Sequence, residues 1–199
     1  MITFGLTGGI ASGKSTVTKT LRRFDIPVVD ADQVARDVVV PGSKGLTDII
    51  QAFGIEYLNR DGTLDRTKLG KLVFSKPEAL NTINHIMGPL IQEESDLQVQ
   101  KAHQAGHPVV GYDAALICEM GNADRYRPLI VVSCPQDMQI DRLMKRNFLT
   151  REEAVARIAA QMPVADKVAM ADYVIDTSGT VENSIQQTEA VIKKLYEIS

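Results

Sequence analysis

Gly8-Gly9-Ile10-Ala11-Ser12-Gly13-Lys14-Ser15 stands directly behind the apolar run Ile2-Thr3-Phe4-Gly5-Leu6 and directly before Thr16-Val17-Thr18-Lys19-Thr20-Leu21. A strand, a glycine loop and a helix in that order give the spacing G-x-x-x-x-G-K-S the context a phosphate-binding loop needs. Gly8, Gly9 and Gly13 let the backbone curl until successive N–H groups point at one phosphate. The helix N-terminus adds partial positive charge, and Lys14 adds a full one. Ser15 supplies a hydroxyl for Mg²⁺. The stretch predicts a site for a nucleoside triphosphate.

Four further short apolar runs read as strands: Ile26-Pro27-Val28-Val29, Pro108-Val109-Val110-Gly111-Tyr112, Leu129-Ile130-Val131-Val132-Ser133 and Tyr173-Val174-Ile175. The near-continuous apolar ones suit parallel strands covered on both faces. Helical patterns separate them, so the chain is expected to be α/β with a five-stranded parallel sheet. Between Pro41 and Gly106 only helical spacing is found: one helix through Ile49, Ile50 and Phe53, one from Leu64 to Phe74, and a longer one from Pro77 to about Gln104. A second helical stretch runs from Gln136 to Ala171, and a last helix from Val181 to about Tyr196.

The 199 residues fit one domain, or one domain with an inserted part. A net charge of −3 argues against a basic nucleic-acid surface, so no nucleic-acid partner is expected. The two cysteines, Cys118 and Cys134, have no metal or redox spacing, which suits a reducing, cytoplasmic setting. No apolar run reaches membrane-spanning length, and the first strand begins too early for a signal peptide, so no membrane partner is expected. Either a monomer or a small homo-oligomer is compatible with this composition.

Several side chains could carry chemistry. Asp30-Ala31-Asp32 lies at the carboxyl end of the second strand, where open α/β sheets bind ligands. There Asp32 either orients an acceptor hydroxyl and takes its proton, or N-caps a helix from Gln33 to Val39. Asp113, ending the third strand, either holds Mg²⁺ through water or only forms a turn. Arg142 and Arg146, four apart on a helix, form either a charge-stabilising pair that closes over ATP or a solvated basic face. Thr150-Arg151-Glu152-Glu153 reads as a capping box that starts a new helix. His103 and His107 share i, i+4 spacing, but Gly106 and Pro108 break the helix beside them and argue against a metal pair.

FGLTGGIASGKST followed by PVVDADQVAR resembles the opening of the dephospho-CoA kinase family. The likeness continues through DGTLDRTKLGKLVF, PLIQEE, RLMKR, TREEA, RIAAQ and ADYVIDTSGT, and so spans essentially the whole chain. The resemblance implies a P-loop NTPase fold of nucleoside-monophosphate-kinase type. Its core would be residues 1–40, 107–135 and 172–199, with a helical acceptor-binding insertion at 41–106 and a helical lid at 136–171. It implies transfer of the γ-phosphate of ATP to the ribose 3′-hydroxyl of dephospho-CoA with Mg²⁺, giving CoA and ADP. Gly9 and the backbone of Ala11, Ser12, Gly13, Lys14, Ser15 and Thr16 would hold ATP phosphates with the Lys14 side chain. Arg142 and Arg146 would belong to the lid, Asp176 would lie near adenine, and Ser15 would ligate Mg²⁺, with Asp113 reaching it through water. Asp32 would be the base, and Arg66, Pro89 and Asp113 would join it on the acceptor side.

Three positions depart from the family pattern. Gly88-Pro89 stands where a His-Pro pair is common, and His85 would point elsewhere on the helix. Asp113-Ala114-Ala115-Leu116-Ile117 lacks the usual proline, which should loosen the turn beneath the acceptor. Thr177 replaces a frequent asparagine, which weakens a side-chain role there. A kinase for another small hydroxylated metabolite is the nearest alternative. A GTP-dependent switch would show an Asn-Lys-x-Asp element, and the chain has none.

Overall fold

The apolar runs form one sheet in the computed structural model, which describes residues 1–199. The strands are β1 Ile2–Gly8, β2 Val28–Asp30, β3 Val109–Asp113, β4 Leu129–Ser133 and β5 Tyr173–Asp176. Their order is β2-β3-β1-β4-β5. β1 runs parallel to β3, with Leu6 opposite Asp113, and to β4, with Gly8 opposite Val132; β4 runs parallel to β5. Nearly every residue of β1, β3 and β4 is buried, as both-face coverage demands. From central β1 the chain turns to β2 on one side, and from β3 it crosses to β4 on the other, so the carboxyl end of β1 lies at a switch point, where such sheets bind ligands.

The helices are α1 Lys14–Arg23, α2 Ala31–Asp37, α3 Lys44–Phe53, α4 Arg66–Ser75, α5 Pro77–Gln104, α6 Gln136–Asn147, α7 Arg151–Ala159, α8 Val164–Met170 and α9 Val181–Glu197. The chain divides into two compact units, residues 1–29 with 101–199, and residues 30–100. In the first, Phe4 and Leu6 of β1 pack with Val17 and Leu21 of α1, Ile130 and Val132 of β4, and Ile192 and Leu195 of α9. The stretch expected as a lid lies within this unit: Ile140, Leu143 and Ala154 form a small core with Ile10 and Ala11 of the glycine loop. The second unit closes around Val39, Leu46, Ile49, Leu64 and Leu69.

Two boundaries differ from expectation. The helical unit begins at Asp30, before residue 41, because α2 packs with it through Val39 and Val38 at its end. α2 itself starts at Ala31, not Gln33. Asp30 keeps extended φ/ψ (−93°, 107°), and its carboxylate accepts the N–H groups of Asp32 and Gln33 at 2.9 and 3.2 Å. The capping box forms as expected, with Thr150 and Glu153 each bonding the other's backbone N–H.

Candidate active site

The glycine loop turns sharply at two left-handed residues, Ala11 (φ 58°) and Gly13 (φ 91°). Gly13 carries that geometry freely, whereas Ala11 is strained by about 1–2 kcal/mol and must be held. Ser12 N–H closes onto the Gly9 carbonyl and Thr16 N–H onto the Gly13 carbonyl, both at 3.0 Å. Ser12 and Thr16 spend their N–H groups on shaping the loop, and the N–H groups of Ala11, Gly13, Lys14 and Ser15 are unbonded. Gly13 is the α1 N-cap and offers no side chain to cover them. These donors and the helix dipole make an anion site. The Ser12 hydroxyl is buried without a partner, so its side chain fills the space beneath the loop. Ser15 is exposed at the start of α1.

Lys14 does not stand free over the loop. Its ammonium forms an ion pair with Asp113, which also accepts the Thr18 hydroxyl at 3.1 Å and is only 7% exposed. Asp113 is thus placed by the register of β3 against β1 beside the loop's only charged side chain.

Thr177, immediately after β5, has its side chain engaged within the protein. It is 4% exposed, and its hydroxyl donates to the Ser12 carbonyl beneath the loop. Arg142 of α6 donates to the Thr177 carbonyl at 2.7 Å and to its hydroxyl at 3.2 Å. The Arg142 guanidinium is accordingly fastened to the wall behind the loop. Arg146 is exposed and donates only to the neighbouring Asn147 side chain, at 2.9 Å. The Asp176 carboxylate is occupied by Ser178, whose N–H and hydroxyl it accepts at 2.8 and 2.9 Å. Asp176 therefore shapes the turn that presents Thr177.

The turn after β3 is tied down rather than loosened. Lys167 of α8 has no exposed surface; it donates to the Ala115 carbonyl at 2.8 Å and pairs with Glu119 at 2.7 Å. The Thr7 hydroxyl adds a second bond to the same carbonyl at 3.1 Å. Two anchors on one carbonyl replace the rigidity that a proline would supply. Burial pushes the thiols of Cys118 and Cys134 above their ordinary pKa. His103 is engaged by Thr3 at 3.1 Å and by the His107 carbonyl at 2.8 Å.

Within the unit of residues 30–100, Asp32 occupies the first turn of α2 with its carboxylate exposed and not used as the cap. Arg66 opens α4 and reaches the Ala35 and Arg36 carbonyls at 3.4 Å, at the carboxyl end of α2. Burial, and then the charge of Arg36, lowers its pKa. Pro89 lies inside α5, where it removes one helical N–H. A side chain at Gly88 would enter open space. His85, one turn earlier, lines a groove with Pro89, Leu90, Lys44 and Asp48. His85 and Pro89 thus share a face, and Gly88, where a histidine was expected, is not among the residues lining this groove.

A dephospho-CoA kinase family profile (CoaE) matches residues 2–183. The chain belongs to the dephospho-CoA kinase family. A dephospho-CoA kinase of Bdellovibrio bacteriovorus is 43% identical over 98% of this chain and 96% of its own length. One from Carboxydothermus hydrogenoformans is 40% identical over 96% and 92%. Among solved structures, dephospho-CoA kinase from Campylobacter jejuni superposes with a TM-score of 0.73 at 25% identity, covering 97% and 96%. A Thermus thermophilus crystal structure reaches 0.83 at 32% identity, covering 98% and 97%. Shikimate kinase from Bacteroides thetaiotaomicron, at 17% identity and a TM-score of 0.50, shares the fold alone. Membership gives the P-loop kinase fold and its five-stranded sheet a family as well as a geometry.

Proposed function

We propose that the chain transfers the γ-phosphate of ATP to the ribose 3′-hydroxyl of dephospho-CoA, producing CoA and ADP. The observation that carries the reading is the loop with unbonded N–H groups and Lys14 beside it, within a chain of this family. Phosphoryl transfer needs positioning and charge neutralisation more than covalent chemistry, and this loop is built for both. In our reading, phosphate oxygens take the N–H groups of Ala11, Gly13, Lys14 and Ser15 and compete with Asp113 for the Lys14 ammonium.

Asp32 is our choice of base, since its exposed carboxylate is free to accept the acceptor's proton. Arg66 and Pro89 belong in our reading to the acceptor side, and Arg142 and Arg146 to the ATP side. Arg142 stabilises the loop through Thr177, and Arg146, which has no distant partner, is the one left to reach phosphate. The stretch 136–171 acts as a lid whose closure keeps water from the transferring group.

The donor chemistry fits Mg²⁺. Ser15 supplies a hydroxyl as a direct ligand, and Asp113 a carboxylate that would reach the ion through water, both hard oxygen donors. No group of three or more His, Cys, Asp or Glu side chains could hold a metal unaided, so Ser15 and Asp113 would hold the ion only with ATP phosphates. When bound, it would neutralise charge on the transferring phosphoryl group. Free, buried Cys118 and Cys134 favour a reducing, cytoplasmic setting. No helix is long and apolar enough to cross a membrane.

The test is ADP release with Mg-ATP, comparing dephospho-CoA with adenosine, a pyrimidine monophosphate and no acceptor. Release that requires dephospho-CoA, with CoA as product, is expected. Release indifferent to dephospho-CoA would refute the assignment of the acceptor.

A further inference from the structure

We infer that Gln139 and Gln161 are positioning residues for the phosphate loop, holding two successive peptide planes from outside it. The inference rests on ATP being the phosphoryl donor. Gln139, on α6 and 2% exposed, donates its amide N–H to the Ile10 carbonyl at 2.8 Å. Gln161, just after α7, accepts the Ile10 N–H at 2.7 Å. Both backbone groups of one loop residue are therefore taken by two side chains from separate segments. A backbone N–H only donates and a carbonyl only accepts, so the orientation of each glutamine amide is fixed.

In a trans peptide the C=O and the following N–H point in opposite directions. Aiming the Ile10 carbonyl at Gln139 turns the Ala11 N–H the other way, and Ala11 N–H is one of the unbonded donors. Aiming the Ile10 N–H at Gln161 turns the Gly9 carbonyl the other way, where it accepts the Ser12 N–H at 3.0 Å. The 10–11 peptide is also where the strain lies. Turning it over would carry Ala11 from its φ of 58° into the broad region open to any residue. The Gln139 bond opposes that flip.

Glycine at position 9 is part of the device, because a Cβ there would collide with the Gln139 amide nitrogen. Packing alone does not set the peptide directions. Ile10 and Ala11 rest on the Ile140, Leu143 and Ala154 core, but Gly9, Gln139, Gln161 and Pro163 line a 520 Å³ cavity, so the loop is not packed all round.

The four variants Gln139→Met, Gln139→Glu, Gln161→Met and Gln161→Glu separate hydrogen bonding from packing. Their ATP dissociation constants are measured without acceptor, well below each variant's Tm, and amide hydrogen exchange is followed at Ile10. Gln139 must donate, so Met and Glu there should each weaken ATP binding about tenfold. Gln161 must accept, so Gln161→Met should speed exchange at Ile10 about tenfold, while Gln161→Glu should keep the amide as protected as in the unaltered protein. Folded Gln139 variants that bind ATP with unaltered affinity would overturn the inference. Should those variants fail to fold, equal exchange at Ile10 in the two Gln161 variants overturns it. An unaltered protein that binds no ATP overturns the donor assignment and this inference together.

Discussion

The residues we propose for the nucleotide side and those we propose for the acceptor side are held in different ways. In the unit containing the sheet, the side chains that brace the loop are committed to partners: Lys14 to Asp113, Thr177 to Ser12, Arg142 to Thr177, Gln139 and Gln161 to Ile10. Asp113, Thr177 and Gln139 among them are nearly inaccessible, at 7%, 4% and 2% exposure. In the unit of residues 30–100, Asp32 and Arg66 are exposed at helix starts; Asp32 is placed by its helix alone, and Arg66 has only two long bonds, at 3.4 Å, to the end of α2. A preorganised loop meets a constant ligand, the triphosphate, without reorganising as charge shifts. Exposed side chains at helix starts are freer to adjust, which would suit the acceptor role we propose for them.

The largest expected effects test that contrast on its two sides. Asp32→Asn should lower kcat by ~10²–10⁴ while leaving ATP affinity in place. Because Asp30 is the cap, stability should fall only by what one first-turn charge contributes, about 0.3–1 kcal/mol. A collapse of ATP affinity with kcat preserved would end the base assignment. Lys14→Ala should cost ~10²–10³ in rate and weaken ATP binding as well, since one charge serves both. Steady-state kinetics with each substrate varied read both variants, and an unaltered rate in Lys14→Ala would remove Lys14 from the mechanism.

An intermediate effect is expected at Thr177. Valine there preserves shape but removes the hydroxyl, leaving the buried Ser12 carbonyl without that donor and Arg142 without one acceptor. The expected loss is about 1–3 kcal/mol of stability, with ATP binding weakened in step. Chemical denaturation and ATP titration of the same protein check it. If stability falls with no change in ATP affinity, Thr177 braces the core and not the loop.

How much of this was legible follows from which interactions are local. β3 and β4 were readable because strands buried on both faces must be apolar throughout. The start of α7 was readable because Thr150 and Glu153 satisfy each other three residues apart. The start of α2 was not, because Asp30 and Asp32 are equally good caps and only the extended backbone at Asp30 decides. Thr177 looked dispensable because its partners, Ser12, Ser133 and Arg142, come from distant parts of the chain. Lys167 was invisible for the same reason: a lysine in a short polar helix reads as solvated until Glu119 and the Ala115 carbonyl are found around it. The glycine motif announced a phosphate site, but the supports that hold its shape are tertiary.

The smallest expected effect lies at the far end of the sheet, away from the loop. Asp172 accepts the Leu129 N–H at 2.6 Å and the Arg127 guanidinium at 2.8 Å, joining the entrances to β4 and β5. Burial tends to raise its pKa, but the Arg127 and Leu129 bonds and the Arg127 charge outweigh it, and the net shift is below 3.8. A carboxyl lowered in the folded state stabilises fully above the unfolded value and loses that contribution as pH falls through the folded one. Asp172→Asn keeps an oxygen for Leu129 and removes only the charge. At neutral pH it should cost about 1 kcal/mol or less, since the pair is more than a third exposed and screened. The gap in Tm between the two proteins should close as pH drops below 3.8 and narrow in high salt. ATP affinity should not move, because Asp172 bonds none of the groups that hold the loop. A gap that persists unchanged into acid would show that Asp172 acts through shape, and the sheet's entrances would then be fastened like the loop, by buried contacts rather than by surface charge.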